Sequence, residues 1–412
     1  MLGDFFPQTL LRLLRGFHIG PYLFRWSQSR AVVLFMSFFA SLDACAAELP
    51  TVTTRLLFDY GNLDGRDTAF GTEDFIVRQA RIGLDGTVFN GVKYKVSVTS
   101  DDAGDVSLSD AYIEFAATNV PGKIRIGNFK TPVSLDETIS QRFVSVHERA
   151  GFTDAFSFGR RLGIGLQNAQ ERYTFAFGAF TSNIEAPETF GSYAFVGRYT
   201  FVPIVQDDFK LQVGTSARYR REDEDLDLLR FRQRPFSQVS NRILSTGRFA
   251  RSDTFVGVEA AATKGSAWTA GEFATTFANC ETCTDDPIFT GGYFEVGYVF
   301  GGTRDLSKGR FANPTITNSV LENGLGAVSI AARFDTLDLT DGDIDGGSYD
   351  AFILGADWWP TERIRLGINL FQVNTDLGLS DAGLDSVINE AILLGATEER
   401  IRGLSLRAQI GF

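Results

Sequence analysis

The residues able to do chemistry in this chain are few, with one exception. Histidine occurs twice, and only His147 lies beyond the N-terminal segment, in Ser145-Val-His-Glu-Arg149. A serine hydrolase would have to be built there, yet neither a Gly-x-Ser-x-Gly elbow nor a His-Glu-x-x-His helix is present. Cys280 and Cys283 are spaced C-E-T-C. In an oxidising compartment such a pair closes a small disulfide loop; a redox motif and a metal site are the alternatives, although zinc needs two more ligands and no histidine is near. Asp341–Gly346 opens like a calcium-binding EF-hand loop, but the position that requires a bidentate glutamate is Phe352. That run and Glu222–Asp225 read as solvated loops, so no catalytic residue, cofactor or metal is expected.

The exception is the basic residues, whose chemistry is anion recognition. They recur in alternation with apolar neighbours: Lys93 and Lys95, Lys123 and Arg125, Arg198, Lys210, Arg218 and Arg220, Arg333, Arg363 and Arg365, and Arg407. Asp59, Asp85, Asp110, Glu114, Glu259, Glu272, Glu295, Asp335 and Asp357 fall on the same polar faces. The net charge is -12, but charge inside a narrow, low-dielectric wall acts on a passing ion more strongly than charge on outer loops. A mild anion preference follows, against the competing reading that pairs such as Arg333 and Asp335 neutralise one another. Between Lys130 and Arg161, Phe143, Phe152, Phe156 and Phe158 are mixed with Arg142, Arg149, Arg160 and Arg161. An external loop has no use for so many aromatics, so a constriction folded inward near 130–160 is expected. On a short helix Arg142 and Arg149 would share one face and present two guanidiniums to an anion; equally, they could pair with Asp136, Glu137 and Glu148.

The elements that must position these residues are strands. Gly403–Phe412 places Leu404, Leu406, Ala408, Ile410 and Phe412 on one face and Ser405, Arg407 and Gln409 on the other. This one strand fits a soluble sandwich or a membrane barrel. About sixteen such segments, each roughly ten residues long, begin between Val52 and Gly403, which matches the length and parity of bacterial outer-membrane barrels. Short links, such as those at Gly265-Ser266 and Pro360–Glu362, alternate with longer polar ones at 61–73, 130–160, 222–252 and 375–401. That sorting suits short periplasmic turns and long extracellular loops; the stretch 302–323 is the exception. Tyr60, Phe201, Phe300, Trp358 and Trp359 near strand ends suit interfacial girdles, with ordinary core aromatics as the plainer alternative. Mean hydropathy is -0.03, and no apolar run beyond the N-terminus is long enough for a helical span. At the N-terminus, Arg12, Arg15, Arg25 and Arg30 precede the apolar run Ala31–Ala40 and the small residues Ala44–Ala47. Residues 1–46 therefore read as a secretory presequence and 47–412 as the barrel, with a lipoprotein box ending at Cys45 as the rival.

The segments Phe75–Gly86 (FIVRQARIGLDG), Asp110–Glu114 (DAYIE), Ile124–Pro132 (IRIGNFKTP) and Ser134–Glu137 (SLDE), with Arg142-Phe143 and Glu148–Ala150, resemble the phosphate-selective porin O and P family. Gly292–Phe300, Gly309–Pro314, Ala327–Phe334 and the last strand extend the resemblance across nearly the whole mature chain. It implies a sixteen-stranded, trimeric outer-membrane barrel of a Gram-negative bacterium that passes anions such as phosphate or polyphosphate. Its partners would be lipid and lipopolysaccharide, with no nucleic acid. Arg142, Arg149, Lys123 and Arg125 are the plausible counterparts of the family's basic pore residues; Lys93, Lys95, Arg333 and Arg407 join them as pore-lining candidates. Phe412 is expected to be the aromatic end read by the barrel assembly machinery. An adhesive or structural barrel with a plugged lumen is the alternative function. If the presequence reading is right, mass spectrometry of protein extracted from outer membranes finds Ala47 at the N-terminus; an acylated Cys45 there would establish the lipoprotein instead.

Overall fold

A computed structural model of the chain describes residues 49–88, 91–100, 104–186, 191–378, 386–393 and 395–412. The presequence 1–46 lies outside the described residues. From residue 49 onward the period-two alternation becomes one closed barrel of sixteen strands, each antiparallel to its neighbours in chain order. They are β1 (Thr51–Asp64), β2 (Thr72–Thr87), β3 (Lys93–Ser100), β4 (Val106–Ala116), β5 (Lys123–Lys130), β6 (Arg160–Ala169), β7 (Tyr173–Phe180) and β8 (Tyr193–Val205). The circuit continues with β9 (Phe209–Arg221), β10 (Ala250–Lys264), β11 (Ala267–Cys280), β12 (Ile288–Phe300), β13 (Ala327–Asp341), β14 (Ile344–Thr361), β15 (Ile364–Asp376) and β16 (Glu398–Gly411). Closure leaves no unpaired edge, which a wall in lipid requires because no water is there to satisfy free N–H and C=O groups.

The seam joins β1 to β16 in a register that sets Asp59 opposite Arg407 and Arg55 opposite Gly411. Phe412 extends it, exchanging main-chain hydrogen bonds with Thr54 at 2.7 and 3.2 Å. Its ring points outward and is 56 % exposed. The rim that carries both described chain ends also carries the two-residue turn Gly265-Ser266, whereas the opposite rim carries the connections 131–159 and 222–249. Outward positions form the apolar belt: Ile164, Phe177, Phe195, Val258, Phe273, Phe294, Phe334, Phe352 and Leu370 are all exposed. Near its two edges lie Tyr60, Phe75, Tyr193 and Tyr219 on one side and Tyr199, Phe201, Tyr298, Phe300 and Trp358 on the other, the placement of interfacial aromatics. Trp359 departs from the expected girdle. Being next to Trp358 in a strand, it must face the other way, and it is buried in the lumen with its indole N–H on Ser329 Oγ at 3.0 Å.

The acidic run Asp341–Gly346 ties two connections together. Asp341 and Asp343 accept the backbone N–H of Ile288 at 2.8 Å and Thr284 at 2.6 Å, tying the β13–β14 turn to the neighbouring connection. Cys280, at the end of β11, and Cys283, within that connection, are joined as a disulfide. A bridge this short constrains little of the unfolded chain. The double variant Cys280→Ser, Cys283→Ser should therefore keep the compact, faster-migrating band of an intact barrel in unheated SDS electrophoresis. Loss of that band would give the bridge a larger role.

Candidate functional site

A sixteen-stranded barrel is too wide for wall side chains to fill, and three inserted segments occupy much of the space. The first is 131–159. Helix α1 (Leu135–Thr138) is capped by Ser134, whose Oγ accepts the Glu137 N–H at 3.2 Å. Glu272 on β11 accepts from Ser134 Oγ at 3.1 Å and from the N–H groups of Leu135 and Asp136 at 2.8 and 2.6 Å. One wall carboxylate thus satisfies the free donors that begin the helix. Asp136 then meets Arg333 of β13 at 3.2 Å, and Arg333 also holds Glu295 at 2.7 Å. Helix α2 (Gly151–Ala155) is held by Asp335, which accepts the Gly151 N–H at 3.1 Å and the Tyr349 hydroxyl at 2.8 Å. Phe152, Phe156 and Phe158 pack on Phe255 of β10, the last at 4.8 Å between ring centres.

The second insertion is 222–249, which the sequence presented as an external polar loop. Its Leu229, Phe231, Phe236, Ile243, Leu244 and Phe249 are buried, with Phe231 against Phe156 and Phe289 at 5.7 and 5.5 Å. The third, 302–323, enters from the short-turn rim. Arg304 lies between Trp268 and Phe311 at 5.0 and 4.4 Å and donates to the Phe143 carbonyl at 2.6 Å. Its tip, Gly309, has φ +76° and sits so close to Thr174 that a Cβ would come within 2.7 Å of Oγ1. Glycine is required there on both counts.

These insertions divide the inward-facing charges into two populations. Along β8–β16 the inward cations other than Lys210, which is half-exposed on Asp305 at 2.8 Å, are buried in pairs: Arg198 with Glu259 at 2.5 Å, Arg218 and Arg220 with Asp253 at 2.8 and 2.6 Å, and Arg365 with Asp357 at 2.7 Å. Arg407 holds Asp59 at 2.6 Å and Glu148 at 3.2 Å. Here the expectation for Arg333 and Arg407 fails. Both point inward, yet they are 1 % and 2 % exposed, because the first insertion covers them and their bonds are spent on the wall carboxylates Glu295 and Asp59 and on Asp136 and Glu148 of the insertion.

Along β1–β7 the cations remain half-exposed. On the long-loop side, Arg78, Gln141, Arg149 and Arg234 line a cavity of about 180 Å³ together with Glu137 and Glu148. Below it Arg55, Arg81, Arg142 and Arg160 stand close enough to feel one another's charge. Among the described residues Asp110 alone bridges within this group, to Arg81 at 2.9 Å and Arg160 at 2.7 Å, and the buried Nε atoms of Arg55, Arg78, Arg81 and Arg142 have no hydrogen-bond partner there. Toward the other rim, Lys93 and Lys95 with Asp85, Tyr112 and Glu114 line a cavity of about 300 Å³. Lys123 and Arg125 share Glu114 at 3.4 and 2.6 Å.

The structure therefore brings Lys93, Lys95, Lys123, Arg125, Arg142 and Arg149 to one side of the lumen. Arg142–Arg149 is not helical, and the two side chains do not act as a pair: Arg149 is taken by Glu137 at 3.3 Å and by the carbonyls of Asp136 and Ile139, while Arg142 lies over Phe143 at 5.1 Å. Arg363 sits in an exposed turn between β14 and β15. The sequence reading missed Arg55, Arg78 and Arg81 as site residues. It also missed the hairpin of the second insertion, where Arg230, Arg232 and Arg234 alternate with buried Leu229, Phe231 and Gln233; that alternation was the available signal. Partial burial, then repulsion from Arg242, Arg230 and Arg234, lowers Arg232 to about 10, so it remains charged at neutral pH.

His147 is buried, and its pKa lies well below the usual value because of that burial and then of Arg407 and Arg365. It is therefore neutral. Its Nδ1 is 2.9 Å from Ser405 Oγ and its Nε2 3.9 Å from Asp357, superficially a hydrolase set. Asp357, however, is held by two bonds from Arg365 at 2.7 and 2.8 Å, and Ser405 is buried beneath the first insertion. The histidine fastens that insertion to β16.

Comparison with known proteins agrees with this architecture. The sequence profile described as phosphate-selective porin O and P matches residues 51–393. An uncharacterized protein of Caulobacter vibrioides is 31 % identical over 335 residues, covering 76 % of this chain and 66 % of that protein, just under two thirds of its length. Among solved structures, the anion-selective porin from Comamonas acidovorans is similar with a TM-score of 0.55 at 12 % identity, over 88 % of this chain and 99 % of that one. OmpT of Vibrio cholerae in its trimer form gives a TM-score of 0.53 at 10 % identity, over 89 % and 100 %.

Replacing Arg407 tests the buried half. Arg407→Gln leaves Asp59 and Glu148 without their common cation, and loss of one member of a buried pair destabilises by about 3 to 5 kcal/mol. Urea unfolding of the reconstituted protein should show that as a lowered midpoint; an unchanged midpoint would mean that the seam does not depend on this group.

Proposed function

This chain belongs to the phosphate-selective porin O and P family, and from that premise we propose that it forms a water-filled channel for passive diffusion of small anions, phosphate or polyphosphate among them. It is a barrel of the Gram-negative outer membrane. The observation that carries the reading is the file of half-exposed cations along β1–β7, from Arg234 and Arg78 through Arg55, Arg81 and Arg142 to Lys95, Lys93 and Lys123. Half-exposure matters because a cation that reaches the lumen can replace part of an anion's hydration, whereas one buried in a carboxylate pair cannot. The role is that of a channel rather than an enzyme.

We further propose that three copies associate through the wall β3–β7. Strands β3, β5 and β7 have eight residues each, and eight residues at about 3.4 Å, tilted by about 40°, rise only about 20 Å, less than the apolar band of about 25 Å. Such a wall exposes loop backbone to lipid unless another protein surface covers it. Its outward side chains, including Ile113, Ile126 and Ile164, are exposed branched aliphatics. Lipid would meet the rest of the belt, and lipopolysaccharide the exposed Arg400 and Arg402 above it.

The packed half of the lumen favours the second reading, a structural barrel that does not conduct. Planar bilayers separate the two: stable ohmic steps are expected, and their absence would favour the plugged barrel. In a salt gradient the reversal potential should fall on the anion side, and phosphate should compete with chloride. Arg81→Gln combined with Arg142→Gln should lower the anion-to-cation permeability ratio by roughly an order of magnitude, since removing charge from a narrow pore acts directly on the ion. Cation preference in the unaltered protein would overturn the anion reading.

A further inference from the structure

The end of the third insertion makes an unusual surface. Asn318–Gly326 is a compact turn: the Ser319 carbonyl accepts the N–H groups of Glu322 and Gly324 at 2.9 Å, and the Asn318 carbonyl accepts that of Gly326 at 2.9 Å. Ser319 Oγ caps the short 3₁₀ turn Val320–Glu322 by accepting the Leu321 N–H at 3.2 Å. A turn so well tied could fold its apolar side chains beneath itself, yet Leu321 is 84 % exposed, Leu325 88 % and Val320 42 %.

Its position indicates what covers them. Trp358 faces outward on β14 and donates its indole N–H to the Leu325 carbonyl at 2.8 Å. In register, Trp358 stands beside Val328 of β13 and Leu366 of β15, both exposed on the outer wall, and Val328 stands beside Phe300. The turn is thus continuous with the edge of the apolar belt at its short-turn rim, on the lipid side of the wall. Tryptophan at that level marks the boundary between acyl chains and headgroups.

We propose that Asn318–Gly326 is an interfacial foot, inserting Leu321 and Leu325 among the acyl chains of phospholipids in the periplasmic leaflet. Bonds within the turn satisfy the N–H groups of Leu321, Glu322, Asn323, Gly324 and Gly326, which lowers the cost of entering that zone, and the exposed Glu322 carboxylate stays at the level of the headgroups. Phospholipid is favoured over a protein partner because the surface continues the lipid-facing belt and is anchored to it by Trp358.

The test uses the whole protein carrying Cys45→Ala, with its disulfide intact, and one added cysteine at Leu321→Cys, labelled with an environment-sensitive fluorophore. Glu362→Cys, in the exposed β14–β15 turn, serves as the aqueous reference, and each variant is first shown to conduct or to migrate as an intact barrel. In phosphatidylcholine vesicles containing acyl-brominated lipid, quenching at 321 should exceed that at 362 by about three-fold or more, with the order reversed for aqueous iodide. Equal bromolipid quenching at both sites, with free access of iodide to 321, would overturn the proposal. So would protection of 321 that is insensitive to bromolipid and is lost on dissociating oligomers, which would assign the patch to a second copy.

Discussion

The structure depends on a single constraint: a loop drawn into the middle of a barrel must find a partner there for every polar group it brings. Glu272 meets that constraint at the start of α1, taking the Ser134 hydroxyl and the N–H groups of Leu135 and Asp136. Each anchored group then fixes the next. Asp136, held in place, orients Arg333, and Arg333 engages Glu295, whose carboxylate also accepts the Ser145 hydroxyl. Breaking one member leaves the others buried and unpaired, so the loop has one energetically acceptable position rather than a range of them.

That position decides which charges are available to solutes. Arginine appears on nearly every part of the inner wall, and nothing in its chemistry distinguishes Arg333 from Arg81. What distinguishes them is how deeply the inserted segments cover them. The first insertion lays Asp136, Glu148 and its aromatics over cations already paired with wall carboxylates such as Glu295, Asp59 and Asp253, and those cations become structural. The cations of β1–β7 stay at least half-exposed.

Much of the barrel was legible because period-two alternation is a property of the backbone that side chains cannot disguise. The terminal strand, the sixteen-strand count, the short-turn rim and the inward loop near 130–160 all follow from it or from misplaced aromatics. What escaped was set by non-local pairing. Arg333 and Arg407 have the alternation of pore-lining residues, and only three-dimensional proximity to Glu295, Asp59 and Glu148 reveals otherwise. Arg78 was hidden by a register shift between β1 and β2, which breaks the alternation that would have pointed it inward. The insertion at 222–249 was masked by its acidic opening, Glu222–Asp225, although Leu229, Phe231 and Phe249 beyond it are too apolar for a wholly external loop.

If the chain is the anion channel proposed above, the alternation of Arg230, Arg232 and Arg234 on the hairpin of the second insertion has a kinetic consequence. Alternate residues in an extended chain are separated by roughly 6.8 Å, about the reach of a guanidinium side chain, so an anion leaving one can be received by the next before it is fully rehydrated. Transit becomes a series of hand-offs, and throughput is governed by the slowest release in the series. Such a path works best when its steps are of similar, moderate strength: deepening any one well raises occupancy and lowers flux together. The hairpin thus supplies several weak sites where a single strong one would hold its cargo.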